Sequence, residues 1–422
     1  MKITDLKNDI ILKKNTLYFD FAASALALKS VEKKIRLILP YYANTHSDSA
    51  LNSFKMQELY ENARNTIKQS LNLSKDFAVI SCGTGASSAI KKFQELMGIY
   101  VTPFIKEKYL KNIDKKDLPL VIIGPYEHHS NELSFREGLC EYVRIPLNLK
   151  GEIDFVSLEN TLKKNAKRKI IASFSLASNV TGILSDYEKI SSLIRKYKGI
   201  VAFDASSFAP YKNISCDFYD ALFISSHKFI GGVAGCGILV IKKKLCGIKP
   251  SFAAGGTVGY VSRTGQDYLC NEEALEEGGT PGILQLIRAG LAFDIKDKIG
   301  LNAINQKEEE LKTYFFEKVL NFKDLELYAK NLTNRLCIFS FNIKDLSPFD
   351  LAYYLSKNFH IQTRAGCACA GPYGHDLLKL KDNQPLKFKP GWLRASLHYT
   401  HEKKDVDYFF DSLNKSVNKL KF

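Results

Sequence analysis

One lysine of the sequence stands in a setting that favours nucleophilic chemistry. Lys228 belongs to the stretch Ser-Ser-His-Lys-Phe-Ile-Gly-Gly at 225–232, directly after an apolar run at 221–224 that predicts a short buried strand. A lysine at a strand end among small residues loses solvation, which lowers its pKa and makes its neutral amine available as a nucleophile. The alternative is a surface lysine on a turn, because the chain carries many such lysines.

A carboxylate at the end of another predicted strand favours the first interpretation. Asp204 closes the apolar run 201–204 and lies 24 residues before Lys228. A lysine that forms a Schiff base and an aspartate that pairs with a pyridine nitrogen are the two protein groups that a pyridoxal 5'-phosphate (PLP) site needs. We therefore predict PLP as the cofactor. We predict no metal, because the pair His128-His129 and the pair Cys367-Ala368-Cys369 both lack the spacing of metal ligands.

The elements that would position these groups alternate along the chain. Besides the two runs above, strands are predicted at 77–81, 121–124 and 169–176, with polar loops after them at 83–88, 126–131 and 178–182. Helices are predicted at 31–39, 53–71, 89–97 and 187–198. This order is typical of a parallel sheet covered by helices on both faces, in which ligands bind beyond the carboxyl ends of the strands.

The strand predicted at 237–241 breaks this order. About a dozen residues separate it from the strand before it, too few for a crossover helix, so we predict that it runs antiparallel. The glycine- and acid-rich stretch 252–279 is expected to be irregular, and a helix is expected at 282–299. We expect three parts: residues 1–30 packing on the small domain and the active site, a large domain at 31–290, and a small C-terminal domain at 291–422. The small domain would hold helices near 303–320, 349–358 and 404–420 and a strand at 336–341.

Composition limits the classes of function. The 422 residues are 45% hydrophobic and 25% charged, as in ordinary globular proteins, and the net charge of +15 is spread over lysine pairs rather than a nucleic-acid-binding motif. We expect neither a nucleic-acid nor a membrane partner, whereas an anionic cofactor and an acidic protein partner fit the charge. No signal-peptide core and no long apolar run is visible, and the nine cysteines follow no disulfide spacing, which together predict a cytoplasmic protein.

Four motifs occur in the order of a known family. They are Ser-x-His-Lys at 225–228 after Asp204, Glu-His-His-Ser-Asn at 127–131, Ser-Asn-Val-Thr-Gly at 178–182 and Arg-x-Gly-x-x-Cys-Ala at 364–370. From about Tyr18 to its end, the chain resembles the class V aminotransferases, specifically the group II cysteine desulfurase and selenocysteine lyase branch. The resemblance implies the fold-type I architecture of PLP enzymes, with a mostly parallel seven-stranded sheet between helices and a smaller C-terminal α+β domain.

The resemblance also implies roles for individual residues. Lys228 would bind PLP covalently, Asp204 would keep the pyridine nitrogen protonated, and His128 would stack on the ring and relay protons. The phosphate would be held by Thr84, Gly85, Ser225 and His227, joined by Thr280 from a neighbouring subunit of a homodimer. Asn179 would contact the ring oxygen or the substrate. Arg394 would clamp the substrate carboxylate, and Ala22, Ala23, Asn44, His46 and Arg364 would surround the substrate.

The chain departs from the family pattern after Asp204. The family usually has glutamine three residues after the aspartate, as a partner of the cofactor hydroxyl, whereas this chain has Ser207. The shorter side chain would reach that hydroxyl only through water, so the electronics of the cofactor would differ. The alternative interpretation of Ser207 is a small packing residue.

One cysteine distinguishes the reactions of the family. Cys369 lies five residues after Arg364, the spacing of the sulfur-accepting cysteine, and Cys367 stands where that branch often has histidine. A glycine-bearing loop near a cationic arginine favours an accessible thiolate. The alternative is that both cysteines are buried.

The resemblance implies a cysteine desulfurase, which converts L-cysteine to L-alanine and keeps the sulfur as a persulfide on Cys369 for a sulfur-acceptor protein and iron–sulfur assembly. Three alternatives stay open. They are an aminotransferase, epimerase or lyase for another amino acid, an enzyme like the molybdenum cofactor sulfurases, and a non-catalytic protein of the same fold, against which Lys228 and Asp204 argue.

Overall fold

The computed structural model describes residues 1–45, 47, 49–110, 112–381 and 391–421. Elements are numbered in chain order. The strands are β1 (Ile10–Ile11), β2 (Leu17–Tyr18), β3 (Ala27–Leu28), β4 (Phe77–Cys82), β5 (Leu120–Ile123), β6 (Glu141–Arg144), β7 (Ile170–Ser175), β8 (Ile200–Asp204), β9 (Ala221–Ser225), β10 (Gly237–Lys242), β11 (Val258–Val261), β12 (Gln266–Tyr268), β13 (Leu325–Leu327), β14 (Ile338–Ile343), β15 (Ile361–Gln362), β16 (Arg364–Gly366) and β17 (Trp392–Ser396).

The α-helices are α1 (Ile3–Asp9), α2 (Lys29–Ile38), α3 (Leu51–Ser70), α4 (Ala86–Leu96), α5 (Pro103–Tyr109), α6 (Leu133–Glu137), α7 (Phe155–Lys164), α8 (Tyr187–Lys196), α9 (Glu272–Glu276), α10 (Ile283–Ile299), α11 (Leu301–Leu320), α12 (Pro348–Phe359), α13 (Gly371–Leu378) and α14 (Lys403–Lys421). Short 3-10 helices lie at Leu39–Tyr41, Lys115–Asp117, His129–Asn131, Cys216–Phe218, Ser226–Lys228 and Lys243–Leu245.

The central sheet has seven strands in the order β4-β10-β9-β8-β7-β5-β6. The strands from β6 across to β9 are parallel, and β10 is antiparallel to both β4 and β9. The predicted reversal at 237–241 is therefore confirmed. Because the five parallel strands all end at one edge, the polar residues that follow them are brought together there.

Strand periodicity explains why the sheet forms the centre of the core. In β5, Leu120 and Ile122 face one apolar cluster, whereas Val121 and Ile123 face another on the opposite side. Successive side chains of a strand point to opposite faces, so a continuous apolar run is stable only if both faces are covered. Helices cover both faces; α4 packs on one side, and α8 contributes Ile190 to the cluster on the other.

A second sheet lies in the C-terminal part of the chain, with strand order β13-β14-β17-β16. It has its own apolar core, formed by residues such as Phe315, Phe339 and Phe409. The N-terminal segment joins this region, because β2 pairs in parallel with β15. The predicted boundary between residues 290 and 291 falls within α10, and the division into three parts stays a prediction.

The structure corrects three sequence-based boundaries. The stretch 252–279, predicted to be irregular, contains the antiparallel hairpin of β11 and β12 and the helix α9. Its strands are mostly exposed, so they carry no apolar alternation that the sequence could reveal. Helix α4 begins three residues before the predicted start, because small residues of its first turn show no apolar period. The strand predicted at 336–341 runs from Ile338 to Ile343. No helix of the described ranges is long and apolar enough to cross a membrane.

Candidate active site

A cavity of about 310 Å³ lies at the carboxyl ends of the parallel strands. It brings together most of the residues that the sequence singled out. These are Ala22, Ala23, Thr84, Gly85, His128, Asn179, Asp204, Ser207, Ser225, His227, Lys228, Arg364, Cys369 and Arg394. Ala86, Ser87, Ser130, Ser175, Ala177, Ser206 and Ala368, which sequence reasoning did not assign, complete the wall.

Lys228 and Asp204 approach the cavity from adjacent strands, β9 and β8. Burial lowers the pKa of Lys228 to about 8, and the nearby Asp204 opposes this shift. The amine lies 3.5 Å from the hydroxyl oxygen of Ser207, a long contact. One carboxylate oxygen of Asp204 accepts a hydrogen bond of 2.9 Å from the backbone N–H of Ser206. A substantial share of the lysine is therefore neutral near physiological pH, as an amine nucleophile requires.

His128 is held as a neutral ring on the cavity wall. Its Nδ1 accepts a hydrogen bond of 3.1 Å from the backbone N–H of Ser130, so the proton of the neutral ring lies on Nε2. Burial and the charge of Lys228 lower the pKa of His128 to about 4. A flat, uncharged imidazole suits stacking on an aromatic ligand.

The first turn of α4 lies at the position where the sequence predicts a phosphate. Gly85 precedes the helix, and the Ser225 hydroxyl accepts a hydrogen bond of 3.0 Å from the backbone N–H of Ala86. Nδ1 of His227 lies 3.2 Å from the carbonyl oxygen of Thr84. The free N–H groups and dipole of a helix N-terminus favour negative charge, which suits the predicted phosphate position.

Two arginines of the cavity wall share one carboxylate that sequence analysis did not assign. Nη2 of Arg394 donates to Asp20 at 2.7 Å, and Nη2 of Arg364 lies 3.0 Å from the same side chain. Nη1 of Arg394 also donates to the carbonyl oxygen of Asn179 at 2.8 Å. Arg394 is 1% exposed, and its two hydrogen bonds, to Asp20 and to the carbonyl of Asn179, hold the guanidinium. No local signal in the sequence marks Asp20, since its partners are far along the chain.

The loop after β16 presents Cys369 to the cavity. The thiol residue is exposed, and both Ala368 (φ 51°) and Cys369 (φ 57°) have left-handed backbone conformations that non-glycine residues rarely adopt. Strained backbone of this kind clusters at functional sites. Cys367 differs from Cys369, because it is half-buried, packs against the core and is absent from the described cavity wall.

Two described residues that were predicted to contact substrate or cofactor are not on this wall. Asn44 and Thr280 contact each other, with Nδ2 of Asn44 3.1 Å from Oγ1 of Thr280, and neither is among the cavity residues. The role of Thr280 in a neighbouring subunit stays a prediction. His46 lies outside the described residues. Among the described residues, no group of three or more His, Cys, Asp or Glu side chains is placed to hold a metal ion.

The cavity residues fit PLP. The α4 N-terminus offers an anion site, Asp204 offers a carboxylate for a protonated ring nitrogen, and Lys228 offers an amine. Two buried polar atoms of the wall have no hydrogen-bond partner within the protein, namely Oδ1 of Asn179 and Nε of Arg394. Buried polar atoms are normally satisfied, so unpartnered ones at a cavity indicate a polar ligand.

Comparisons of sequence show the family of the chain. The family model described as aminotransferase class V matches residues 17–409. A probable cysteine desulfurase of Pyrococcus abyssi is 28% identical, with 99% of this chain and 98% of the relative covered. A probable cysteine desulfurase of Halalkalibacterium halodurans is 30% identical over 70% of each chain.

Comparisons of structure show the same fold. A cysteine desulfurase from Thermococcus onnurineus superposes with a TM-score of 0.82 at 23% identity, with 98% of each chain covered. A cysteine desulfurase from Escherichia coli gives a TM-score of 0.77 at 20% identity over 99% of each chain. The architecture predicted from the resemblance, fold type I, is therefore confirmed. With its family match spanning nearly the whole sequence, the chain belongs to the class V aminotransferases, a family of PLP-dependent enzymes.

Proposed function

We propose that this protein is a PLP-dependent cysteine desulfurase, which converts L-cysteine to L-alanine and keeps the sulfur on Cys369. The observation that carries the proposal is the placement of Cys369 on the wall of the cavity that also holds Lys228 and Asp204. The curated relatives named above, described as probable cysteine desulfurases, support it. An aminotransferase needs no thiol at this place.

Each part of the cavity has a task in this reaction. Bound PLP supplies an electron sink for bonds at the α-carbon of an amino acid. The carboxylate of Asp204 stabilises a proton on the pyridine nitrogen, and the imidazole of His128 covers the ring. The amine of Lys228, with its pKa of about 8, can take a proton from the substrate and return it. The hydroxyl of Ser207 lies 3.5 Å from that amine.

The arginines select the substrate. Arg394 and Arg364 both face the cavity, and a guanidinium binds a carboxylate with two parallel hydrogen bonds. Asp20 neutralises part of their charge and keeps Arg394 fixed, so Arg394 meets the substrate carboxylate without reorganisation. An α-amino acid with a small side chain suits a cavity of about 310 Å³ that also takes the cofactor.

Transfer of the sulfur is balanced without an outside oxidant. The thiolate of Cys369 attacks the sulfur of the substrate, the S–S bond forms, and the C–S bond breaks. The electron pair of the C–S bond stays with the β-carbon, which takes a proton and becomes the methyl group of alanine. Cys369 then carries a persulfide, ready for a thiol acceptor.

We also infer a homodimer in a reducing compartment such as the cytoplasm, with an acceptor protein and iron–sulfur assembly as the destination of the sulfur. Three apolar side chains in the segment that precedes Thr280 are exposed, namely Phe252, Tyr260 and Val261, and they support a surface that a second subunit covers. All nine cysteines lie in the described ranges and are free thiols, which supports a reducing compartment.

Product analysis tests the proposed reaction. Alanine and sulfide are measured after adding L-cysteine, L-selenocysteine or other amino acids with a thiol reductant. We expect equal alanine and sulfide from L-cysteine, a loss of both in Cys369→Ser, and near wild-type rates in the matched variant Cys367→Ser. Keto acid or racemised amino acid in place of alanine would instead identify one of the alternative class V reactions. Alanine and sulfide formed by Cys369→Ser at the wild-type rate would show that Cys369 is not the sulfur acceptor.

A further inference from the structure

The backbone around Cys369 is held at consecutive points by residues outside its own loop. Nδ2 of Asn179 donates to the carbonyl oxygen of Ala368 at 2.6 Å. The backbone N–H of His129 donates to the carbonyl oxygen of Cys369 at 2.8 Å. These bonds hold Ala368 and Cys369, the two residues of the loop with left-handed backbone conformations.

The side chain of His129 makes a third bond to this loop. Its Nε2 accepts a hydrogen bond of 2.8 Å from the backbone N–H of Gly371, the first residue of α13. Helix N-termini have N–H groups without partners inside the helix, and usually a side chain of the preceding residue satisfies one. Here the preceding residue is Ala370, which has no such side chain. The N–H of Gly371, the first helical residue, has no partner inside the helix, and His129 supplies its acceptor from another part of the chain.

The residue types at positions 371 and 129 suit the contact between Gly371 and His129. Gly371 permits the close approach, because a Cβ at this position would lie 3.1 Å from Nε2 of His129. Burial lowers the pKa of His129 below its ordinary value, which keeps the ring neutral and Nε2 free to accept. With Nε2 as acceptor, the proton of the neutral ring lies on Nδ1.

From this geometry we propose that His129 is the positioning residue of the cysteine loop, which it holds through Cys369 and Gly371 so that the thiol faces the cavity. The inference rests on the proposed function for its effect on rate, and on the structure alone for its effect on the loop. His128 and His129 thus have separate tasks; the first lies on the wall of the cavity, and the second holds the chain that carries the sulfur acceptor.

Loss of the hydrogen bond between the side chain of His129 and Gly371 would loosen the cysteine loop without changing cofactor binding. His129→Leu removes the acceptor and leaves the N–H of Gly371 unpartnered, whereas His129→Gln keeps a side-chain carbonyl that can accept. The bond from the backbone of His129 to Cys369 remains in both. We expect residues 366–374 of His129→Leu to lose hydrogen-exchange protection by about tenfold, the size of effect that one lost hydrogen bond with an unpartnered donor produces.

The experiment uses the PLP-loaded full-length protein. Hydrogen exchange of residues 366–374 and the alkylation rate of Cys369, relative to the exposed Cys270 in the same molecule, are measured without substrate. Then kcat and KM for L-cysteine are measured. For His129→Leu we expect lower protection, faster alkylation, a kcat reduced about tenfold and a nearly unchanged KM, with the absorbance of bound PLP unchanged. His129→Gln restores most of these values, and the control variant His360→Asn, at an exposed histidine whose left-handed backbone asparagine tolerates, behaves as wild type.

Wild-type protection and kcat in His129→Leu would overturn the proposal, and so would a His129→Gln variant as impaired as His129→Leu. Gly371→Ala provides a second test that leaves His129 in place, because its added Cβ crowds Nε2 and is expected to loosen the same residues. A wild-type protein that yields no alanine from L-cysteine would refute the desulfurase function, whereas the exchange and alkylation data would still decide whether His129 holds the loop.

Discussion

The guanidinium of Arg394 and the carboxylate of Asp20 lie 2.7 Å apart, although the two residues are separated by 374 positions in the chain. The pair joins the N-terminal segment to β17 at the wall of the cavity. Arg394 is 1% exposed, so its charge depends on Asp20 for compensation, whereas Asp20 is also paired with Arg364.

Removal of this carboxylate is expected to destabilise the protein. Asp20→Asn leaves the buried Arg394 without its counter-charge, and breaking a buried ion pair in this way costs about 3–5 kcal/mol. Urea unfolding of the cofactor-free variant should therefore have a clearly lower midpoint. The matched variant Asp294→Asn removes the partner of Lys298, an exposed pair, and should change stability by less than about 1 kcal/mol. Equal midpoints for the two variants would show that Asp20 does not compensate a buried charge.

The amine of Lys228 should control how fast PLP is bound. The neutral amine is the reactive form, and its fraction rises as pH rises through the pKa of about 8. Loading of PLP into the cofactor-free protein should therefore accelerate about tenfold for each pH unit below 8 and level off above it. The rate of PLP loading is measured from the growth of the absorbance band of the cofactor–lysine linkage. Binding of a PLP analogue without the aldehyde serves as control and should lack this dependence; a shared pH profile would assign it to another group.

The turn predicted to bind phosphate packs closely against Gly237, the first residue of β10. A Cβ on Gly237 would lie 2.1 Å from the carbonyl oxygen of Gly85, a distance that forces the turn before α4 to move. Gly237→Ala is therefore expected to weaken PLP binding by about tenfold or more, the effect of losing one hydrogen bond to a charged group. Gly259→Ala, whose Cβ would have one neighbour at 4.0 Å, is the matched control. Equilibrium titration with PLP measures the dissociation constants of Gly237→Ala and Gly259→Ala. Equal constants for the two variants would contradict this prediction.

Glu127 makes the free energy of unfolding of the protein depend on pH. Burial raises the pKa of Glu127 to about 7, despite hydrogen bonds from Asn131 and Ser175. Between its ordinary value of 4.5 and about 7, the folded protein holds a proton that the unfolded chain has released, so the free energy of unfolding falls as pH rises. The free-energy cost of ionising the buried Glu127 is absent below pH 4.5 and reaches its full value above pH 7.

The comparison with Glu127→Gln isolates this contribution, because all other groups titrate in both proteins. Urea unfolding at several pH values should show that wild type loses stability relative to Glu127→Gln across pH 4.5–7, with no further change above pH 7. A difference between the two proteins that does not vary with pH would mean that Glu127 is ionised throughout the range.

The sequence predicted those features of the fold that depend on residues close together in the chain. Apolar runs located β8 and β9, and the rule that parallel strands end at one edge brought Asp204 and Lys228 together. The pairing of Asp20 with Arg394 could not be predicted, because contacts between distant residues leave no periodic signal. The hairpin at 258–268 was missed for another reason, since its exposed strands lack the alternation that indicates a half-buried sheet.

The most direct measurement locates the sulfur after one turnover. The PLP-loaded protein is mixed with less than one equivalent of L-cysteine without reductant, and its peptides are mapped by mass spectrometry. We predict one added sulfur atom on the peptide that contains Cys369, in an amount equal to the alanine formed, and also in Cys367→Ser. Alanine formed with the sulfur on another cysteine, or released as sulfide from Cys369→Ser at the wild-type rate, would contradict the assignment of Cys369 as the sulfur acceptor.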